Sequence, residues 1–311
     1  MVKFRKWCGL FYIACITNII YADNVKYKLS AVEPQANTAF NNQNSVSDNS
    51  DSSSSKKQSE IELSEKLVDP LAKLMFIPLS AQNFIWTNPS PVGNKSGFEV
   101  SLRPTVPVQL NEDFIVINHA VLPYFNVPNG AVSPDFGSTA LAPPGYSNIF
   151  GPAQFMSIIA LNKSYGLNIG VGPYVNIPFG TVGGVDQNYG LGVAGIVRYA
   201  NGPFLMSTSV QNAWSVGQNG NATAFSQFMV IPNIAYNFEG GWALFTMPYI
   251  TADFTQQGGD WMIPVGLGVS KVSYINKVPF QFSMSSYENV VRTPLQPEWT
   301  LRATITMILP E

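Results

Sequence analysis

The C-terminal stretch WTLRATITMILPE, residues 299–311, alternates with a period of two. Trp299, Leu301, Ala303, Ile305, Met307 and Leu309 fall on one face, and Thr300, Arg302, Thr304 and Thr306 on the other. Successive side chains of a β-strand point to opposite sides of the sheet, so the stretch is one strand with an oily face and a polar face. A run of about eleven residues is longer than the ~5–6 of an ordinary globular strand. Tilted by about 40°, it can cross the apolar band of a bilayer.

The same phase appears upstream. In GFEVSLRPTVPVQL (97–110), Phe98, Val100, Leu102, Val106 and Val108 oppose Glu99, Ser101, Arg103, Thr105 and Gln109. In YGLNIGVGPYVNIP (165–178), Leu167, Ile169, Val171, Val175 and Ile177 oppose Asn168, Gly170, Gly172 and Asn176. Marking such stretches predicts about twelve strands, near 78–89, 97–110, 113–125, 150–162, 165–178, 189–200, 203–217, 225–238, 242–254, 261–274, 278–290 and 298–309. Both phases are apolar in 113–125, 150–162 and 242–254, so the inner face of those three is open from sequence.

Connection lengths alternate. Asn111-Glu112, Lys163-Ser164, Asn201-Gly202, Glu239-Gly240-Gly241 and Ile275-Asn276-Lys277 are short, and Asn-Gly is a strong hairpin signal. The stretches near 90–96, 126–149, 179–188, 218–224, 255–260 and 291–297 are longer. Short turns at one rim and long loops at the other is the outer-membrane barrel pattern. The fold expected is all-β: a transmembrane, up-and-down antiparallel β-barrel over 77–311.

Composition agrees. Charged residues are 12% of the 311 and aromatic residues 13%, so much of the surface faces something other than water. Mean hydropathy is only +0.08, too low for a helical membrane protein, which fits strands that show lipid on one side only. Tyr189, Tyr199, Phe204, Trp214, Trp242, Tyr249, Trp261, Tyr274 and Trp299 lie near strand ends, as two interfacial girdles would place them; ordinary β-core aromatics are the alternative. A soluble β-sandwich is the alternative fold, disfavoured by strand length and scarce charge.

Ahead of the barrel, Lys3, Arg5 and Lys6 precede a short apolar run, Trp7 to Tyr21, and Ala22 offers a cleavage point. Residues 1–22 therefore read as a secretory signal; an anchor helix, or lipidation at Cys15, is the alternative. Both cysteines, Cys8 and Cys15, lie in it, so cleavage after Ala22 leaves no thiol. Residues 23–58, with their Ser/Asn-rich run, read as a disordered linker. Residues 59–76 place Leu67, Leu71 and Leu74 at helical spacing around Pro70 and predict a short helix, either a plug at the barrel mouth or a lead-in to the first strand.

The chemistry-bearing residues are few. Glu99, Arg103, Arg198 and Arg302 take the polar phase of their strands, joined by Gln211, Asn233 and Gln281. An arginine facing lipid at mid-depth costs roughly 2–4 kcal/mol, so the lumen is their favoured side. Arg302 on the last strand is placed to meet Glu99 or Arg103 across the barrel closure. They form either an ion network that fills the barrel or a constriction that selects solutes. One histidine, His119, is followed by Ala120 and Val121, so no neighbouring serine supports a hydrolase. No residue set suggests a catalytic site, a metal or a cofactor, and no basic patch points to nucleic acid.

The stretches LVDPLAKLMFIPLSAQNFIW (67–86), LRPTVPVQL (102–110), VLPYF (121–125), GVGPYVNIPFGT (170–181), YGLGVAGIVRYANGPF (189–204), NAWSV (212–216), PNIAYNF (232–238), WMIPVGLGVSKV (261–272) and PEWTLRATITMILPE (297–311) follow one another in order. In this the chain resembles the bacterial outer-membrane barrels catalogued as "MetA-pathway of phenol degradation"-like transporters, often mislabelled neuromedin U. It departs from them in its Ser/Asn-rich linker and in ending Leu309-Pro310-Glu311, without a terminal aromatic. The resemblance implies passage of small, often hydrophobic compounds and supplies no site residues. The expected protein is thus an exported outer-membrane channel or transporter-like barrel. Its expected partners are outer-membrane lipid, small solutes and the barrel-assembly machinery. A structural or adhesive barrel with a filled lumen is the alternative, and an outer-membrane lipid hydrolase is third.

Overall fold

A computed structural model describes residues 74–133, 137–138, 145–161, 167–179, 188–217, 220, 222–255, 258–276 and 278–309. The expected signal, linker and helix, up to residue 73, lie outside the described residues.

The strands, in chain order, are β1 (Met75–Trp86), β2 (Lys95–Leu102 continued by Thr105–Gln109) and β3 (Phe114–Pro128). They continue as β4 (Tyr146–Phe150 and Ala153–Leu161), β5 (Leu167–Ile177), β6 (Tyr189–Asn201) and β7 (Phe204–Val216). The rest are β8 (Ser226–Phe238), β9 (Trp242–Thr246 and Ile250–Asp253), β10 (Ile263–Ile275), β11 (Val278–Val291) and β12 (Trp299–Leu309). Each pairs antiparallel with the next, and β12 returns to β1 over eleven positions, from Met75 opposite Leu309 to Ile85 opposite Trp299. The result is a closed barrel of twelve strands. In a bilayer closure is obligatory, because an open edge would leave backbone groups with no water to bond.

The alternation decides what each wall shows. Along β12, Trp299, Leu301, Ala303 and Ile305 are exposed outward, whereas Thr300, Arg302 and Thr306 are buried inward. β2 does the same with Phe98, Val100 and Leu102 outside and Glu99 and Ser101 inside, and β5 with Ile169 and Val171 outside and Asn168 and Asn176 inside. Burying an outward Leu or Val is left to hydrocarbon, so their exposure on the isolated chain is the expected signature of a lipid-facing surface. At the short-turn rim, Gly202 supplies the left-handed φ of +55° that the Asn201-Gly202 hairpin needs.

Several boundaries move. β1 begins at Met75, so Met75 and Phe76 belong to the wall and not to the lead-in. The loop expected at 126–149 is shortened from both ends, by β3 running to Pro128 and β4 starting at Tyr146. The outer aromatics form contacts around the rims: Phe98 with Tyr124 at 6.4 Å, Tyr124 with Phe150 at 5.0 Å, and Tyr236 with Phe238 at 4.9 Å between ring centres. Two of the expected girdle residues are not there. Tyr249 is buried on the inner wall, and Tyr274 takes the inner phase of β10, because girdle membership follows strand phase and not nearness to a strand end.

Candidate functional site

The closure of the ring builds the site. Register places Arg302 of β12 opposite Gln82 of β1, and Gln82 opposite Glu99 of β2, all on the inner phase. Arg302 Nε donates to Gln82 Oε1 at 3.0 Å, and Gln82 Nε2 donates to Glu99 Oε2 at 2.9 Å. Four residues along β2, on the same face, Arg103 Nη2 donates to Glu99 Oε1 at 2.9 Å and Arg103 Nε to Ser101 Oγ at 2.9 Å. The Glu99 side chain is fully buried, a position an ionised carboxylate holds only when paired and hydrogen-bonded.

A tyrosine from the far side of the closure completes the group. The Arg302 guanidinium lies 3.8 Å from the ring centre of Tyr249, and that of Arg103 5.3 Å from the same ring. Arg103 Nη1 also donates to the Tyr249 hydroxyl at 3.1 Å. Two cations thus share one aromatic ring, an arrangement worth more in a desolvated interior than at a surface.

Tyr249 takes the inner phase of β9, beside the point where that strand is interrupted. Its two segments keep one register against β8, which puts Pro232 opposite Pro248, and neither has an N–H to donate. Against β10, main-chain pairing runs from Trp242 to Phe245 and resumes only at Thr251 opposite Met262. Side chains fill the interval. Met247 N–H donates to the Tyr287 hydroxyl at 2.9 Å, Met247 C=O accepts from Arg302 Nη1 at 3.3 Å, and Thr246 Oγ1 donates to Gly266 C=O at 2.8 Å. Side chains of the wall, Tyr287 and Arg302 from inside and Thr246 from the strand itself, therefore satisfy backbone groups that a membrane cannot.

Of the seven residues singled out from sequence, Glu99, Arg103 and Arg302 are brought together. The other four are not in this group. Arg198 lies on the inner phase in a row with Asn168, Ser207 and Asn233. Gln211 is buried and donates to Met229 Sδ at 3.6 Å. Gln281 donates to Ser270 Oγ at 3.4 Å, near the short-turn rim. Gln82, Tyr249 and Tyr287 were missed. Gln82 shares the polar phase of its strand with Ser80, which is a signal the sequence carries; Tyr249 sits where both phases of the strand are apolar, and no alternation marks it.

Other parts of the interior are oily. Phe84, Trp86, Val92, Phe125, Val127, Ala131 and Ile149 pack together toward the long-loop rim of β1 to β4. There Trp86 Nε1 donates to Leu295 C=O at 2.8 Å, tying the loop between β11 and β12 to this cluster. Ile115, Ile117, Ile158, Ala160, Tyr174, Ala194 and Ile196 form a second cluster on the inner phase of β3 to β6. His119 stands between that cluster and the charged group, its Nδ1 2.8 Å from Thr105 Oγ1. Among the described residues no group of three His, Cys, Asp or Glu side chains could hold a metal ion.

No family model matches the sequence, and no curated protein matches it. Solved structures do share the fold. An outer membrane channel from Pseudomonas putida F1 superposes with a TM-score of 0.55 at 11% identity, covering 76% of this chain and 96% of that one. The outer membrane phospholipase of Salmonella typhi matches with a TM-score of 0.37 at 11% identity over 81% of this chain and 98% of that one. The β domain of the Bordetella autotransporter BrkA gives 0.42 at 11% identity over 76% and 98%. At these identities the likeness is one of fold: an outer-membrane-type β-barrel.

Proposed function

We propose that this protein is exported by its N-terminal signal and inserted into the outer membrane by the barrel-assembly machinery, and that it acts there as a channel or transporter for small molecules, hydrophobic ones among them. The observation that carries the proposal is the inner wall. Glu99, Arg103, Arg302, Gln82 and Tyr249 form a charged group on one side of a closed ring, and an apolar surface of Ile115, Ile117, Ile158 and Ile196 lies on another. A wall built only for stability gains more from apolar filling than from buried ions, so an interior charge group of this kind is better explained by solutes that pass it.

 That charge is kept in the folded interior despite the cost of desolvating it. The fold shared with the Pseudomonas putida outer membrane channel supports the same reading, and the succession of sequence motifs from Leu67 onward supports kinship with the MetA-pathway-like transporters. In planar bilayers or liposomes the purified protein passes ions or small solutes, and Arg302→Gln changes the conductance; bilayers that stay sealed under all conditions sink the proposal.

The packing of Phe84, Trp86, Phe125 and Ile149 favours a second reading, a structural barrel with a filled lumen that acts through its loops. It requires sealed bilayers, together with loss of a surface partner when the loop between β3 and β4 is deleted. We read the barrel as non-enzymatic, and lipase activity lost on His119→Ala would overturn that.

A further inference from the structure

The lipid-facing wall is uneven. Over β1, β12, β11 and β10 it is indented by a groove of about 630 Å³ with an apolar lining. Short side chains make the indentation. Ala81 faces outward opposite Ala303 in the closing ladder, so the main chain of both strands lies near the surface there. On the next strand the residue in register with Ala303 is Met284, which is 68% exposed, more than any other large apolar side chain described. A hollow and a projection thus stand side by side on one face.

Toward the long-loop rim, Asn83 faces outward between Phe98 and Leu301. Its Nδ2 donates to Gly97 C=O at 3.3 Å, and its Oδ1 accepts no hydrogen bond from the described residues. Asn118, an outward asparagine on β3, differs. The hydroxyl of Ser157, the residue opposite it, donates to its Oδ1 at 2.8 Å. An open carbonyl is costly in hydrocarbon, so the molecule that covers Asn83 has to bring an N–H or an O–H. A lipid acyl chain can fill the groove but brings neither.

We infer that this sector of the wall is a contact surface for a second copy of the same chain. Two copies standing the same way up in one membrane are related by a two-fold axis along its normal, so a single patch has to complement itself. This patch carries both halves of such a contact. The projecting Met284 of each copy fits the Ala81–Ala303 hollow of the other, and small residues let the two walls approach closely, as association in lipid requires. Donors for Asn83 Oδ1 lie on the same face: the amide of the second copy's Asn83, and the hydroxyl of Ser286, which follows Leu301 in the same row. The inference rests on the lipid-facing wall and not on conduction.

The test uses the full chain with Cys8 and Cys15 changed to Ala, reconstituted in phosphatidylcholine vesicles. Ala303→Cys, oxidised in the vesicles, gives a crosslinked species of twice the mass. Val193→Cys, outward on the far side of the ring, does not. Energy transfer between copies labelled at Glu112→Cys, on the short-turn rim, rises with the protein-to-lipid ratio and yields a lateral dissociation constant. Ala303→Trp fills the hollow and abolishes the transfer. Asn83→Leu keeps the size, loses the amide and raises the constant about threefold to tenfold, the worth of one hydrogen bond between protein surfaces in lipid. Should Ala303→Trp fail to fold, Asn83→Leu decides. Copies that stay monomeric at every ratio overturn the inference. So does crosslinking at Val193 as ready as at Ala303, or a constant that Asn83→Leu leaves unchanged.

Discussion

Two seams of the same barrel wall are built differently. Where β12 meets β1, main-chain pairing runs unbroken over eleven positions, and the side chains of Gln82 and Arg302 are left to build a network inside. Where β9 meets β10, pairing stops between Phe245 and Thr251, and side chains of the wall are recruited to close the gap. Tyr287 and Arg302 take the N–H and C=O of Met247, and Thr246 takes the C=O of Gly266. In water such a break would be repaired by solvent; in hydrocarbon the protein must repair it from its own side chains. Arg302 serves both seams, which links the charged group of the closure to the irregular strand opposite.

The comparison is tested most severely at Glu99. If the network matters beyond the ladder, Glu99→Ala leaves Arg103 and Gln82 without their buried partner and costs about 3–5 kcal/mol in urea unfolding from lipid vesicles. A loss no larger than that of an exposed substitution would mean that the ladder alone carries the closure. On the outer side of the same ladder, Ala303→Arg puts a cation into lipid one residue away from a cation the interior accepts. It costs about 2–4 kcal/mol, measured by the same unfolding, and a neutral result would mean that this face is not in hydrocarbon. The broken seam gives the smallest effect. Thr246→Val removes one neutral hydrogen bond worth about 1 kcal/mol, and faster amide exchange follows in Ile263–Leu267 while Leu301–Ile305 is unchanged. Equal protection of both stretches in the unmodified protein would erase the difference between the seams.

Much of the barrel is legible in one dimension. The alternation in 299–309 and 97–102 names the inner residues Arg302, Glu99 and Ser101 directly, because a strand has only two faces and hydrocarbon accepts only one kind. The turn at Asn201-Gly202 and its short counterparts mark the rim where hairpins close. Legibility fails where that contrast is missing. In 242–254 both phases are apolar, so Tyr249 was assigned to a girdle although it lies between two guanidiniums inside. Gln281, Gln211 and Arg198 lie on the polar phase that the alternation marks, but phase says nothing about height along the axis or position around the ring, so their separation from the closure group is not legible in the sequence.

Alternation, strand length and turn spacing by themselves determined that this chain makes a ring of about twelve strands with a lipid-facing exterior, since these are local properties and each strand declares its own two faces. Tertiary structure decided which inner residues meet. Arg302 and Gln82 lie 220 positions apart in the chain and become neighbours only because the last strand pairs with the first. Tyr249 joins them because the register of β9 against β8 sets it on the inner phase, at the height of Arg103 and Arg302. Contacts of that kind depend on closure and register, which no single strand contains.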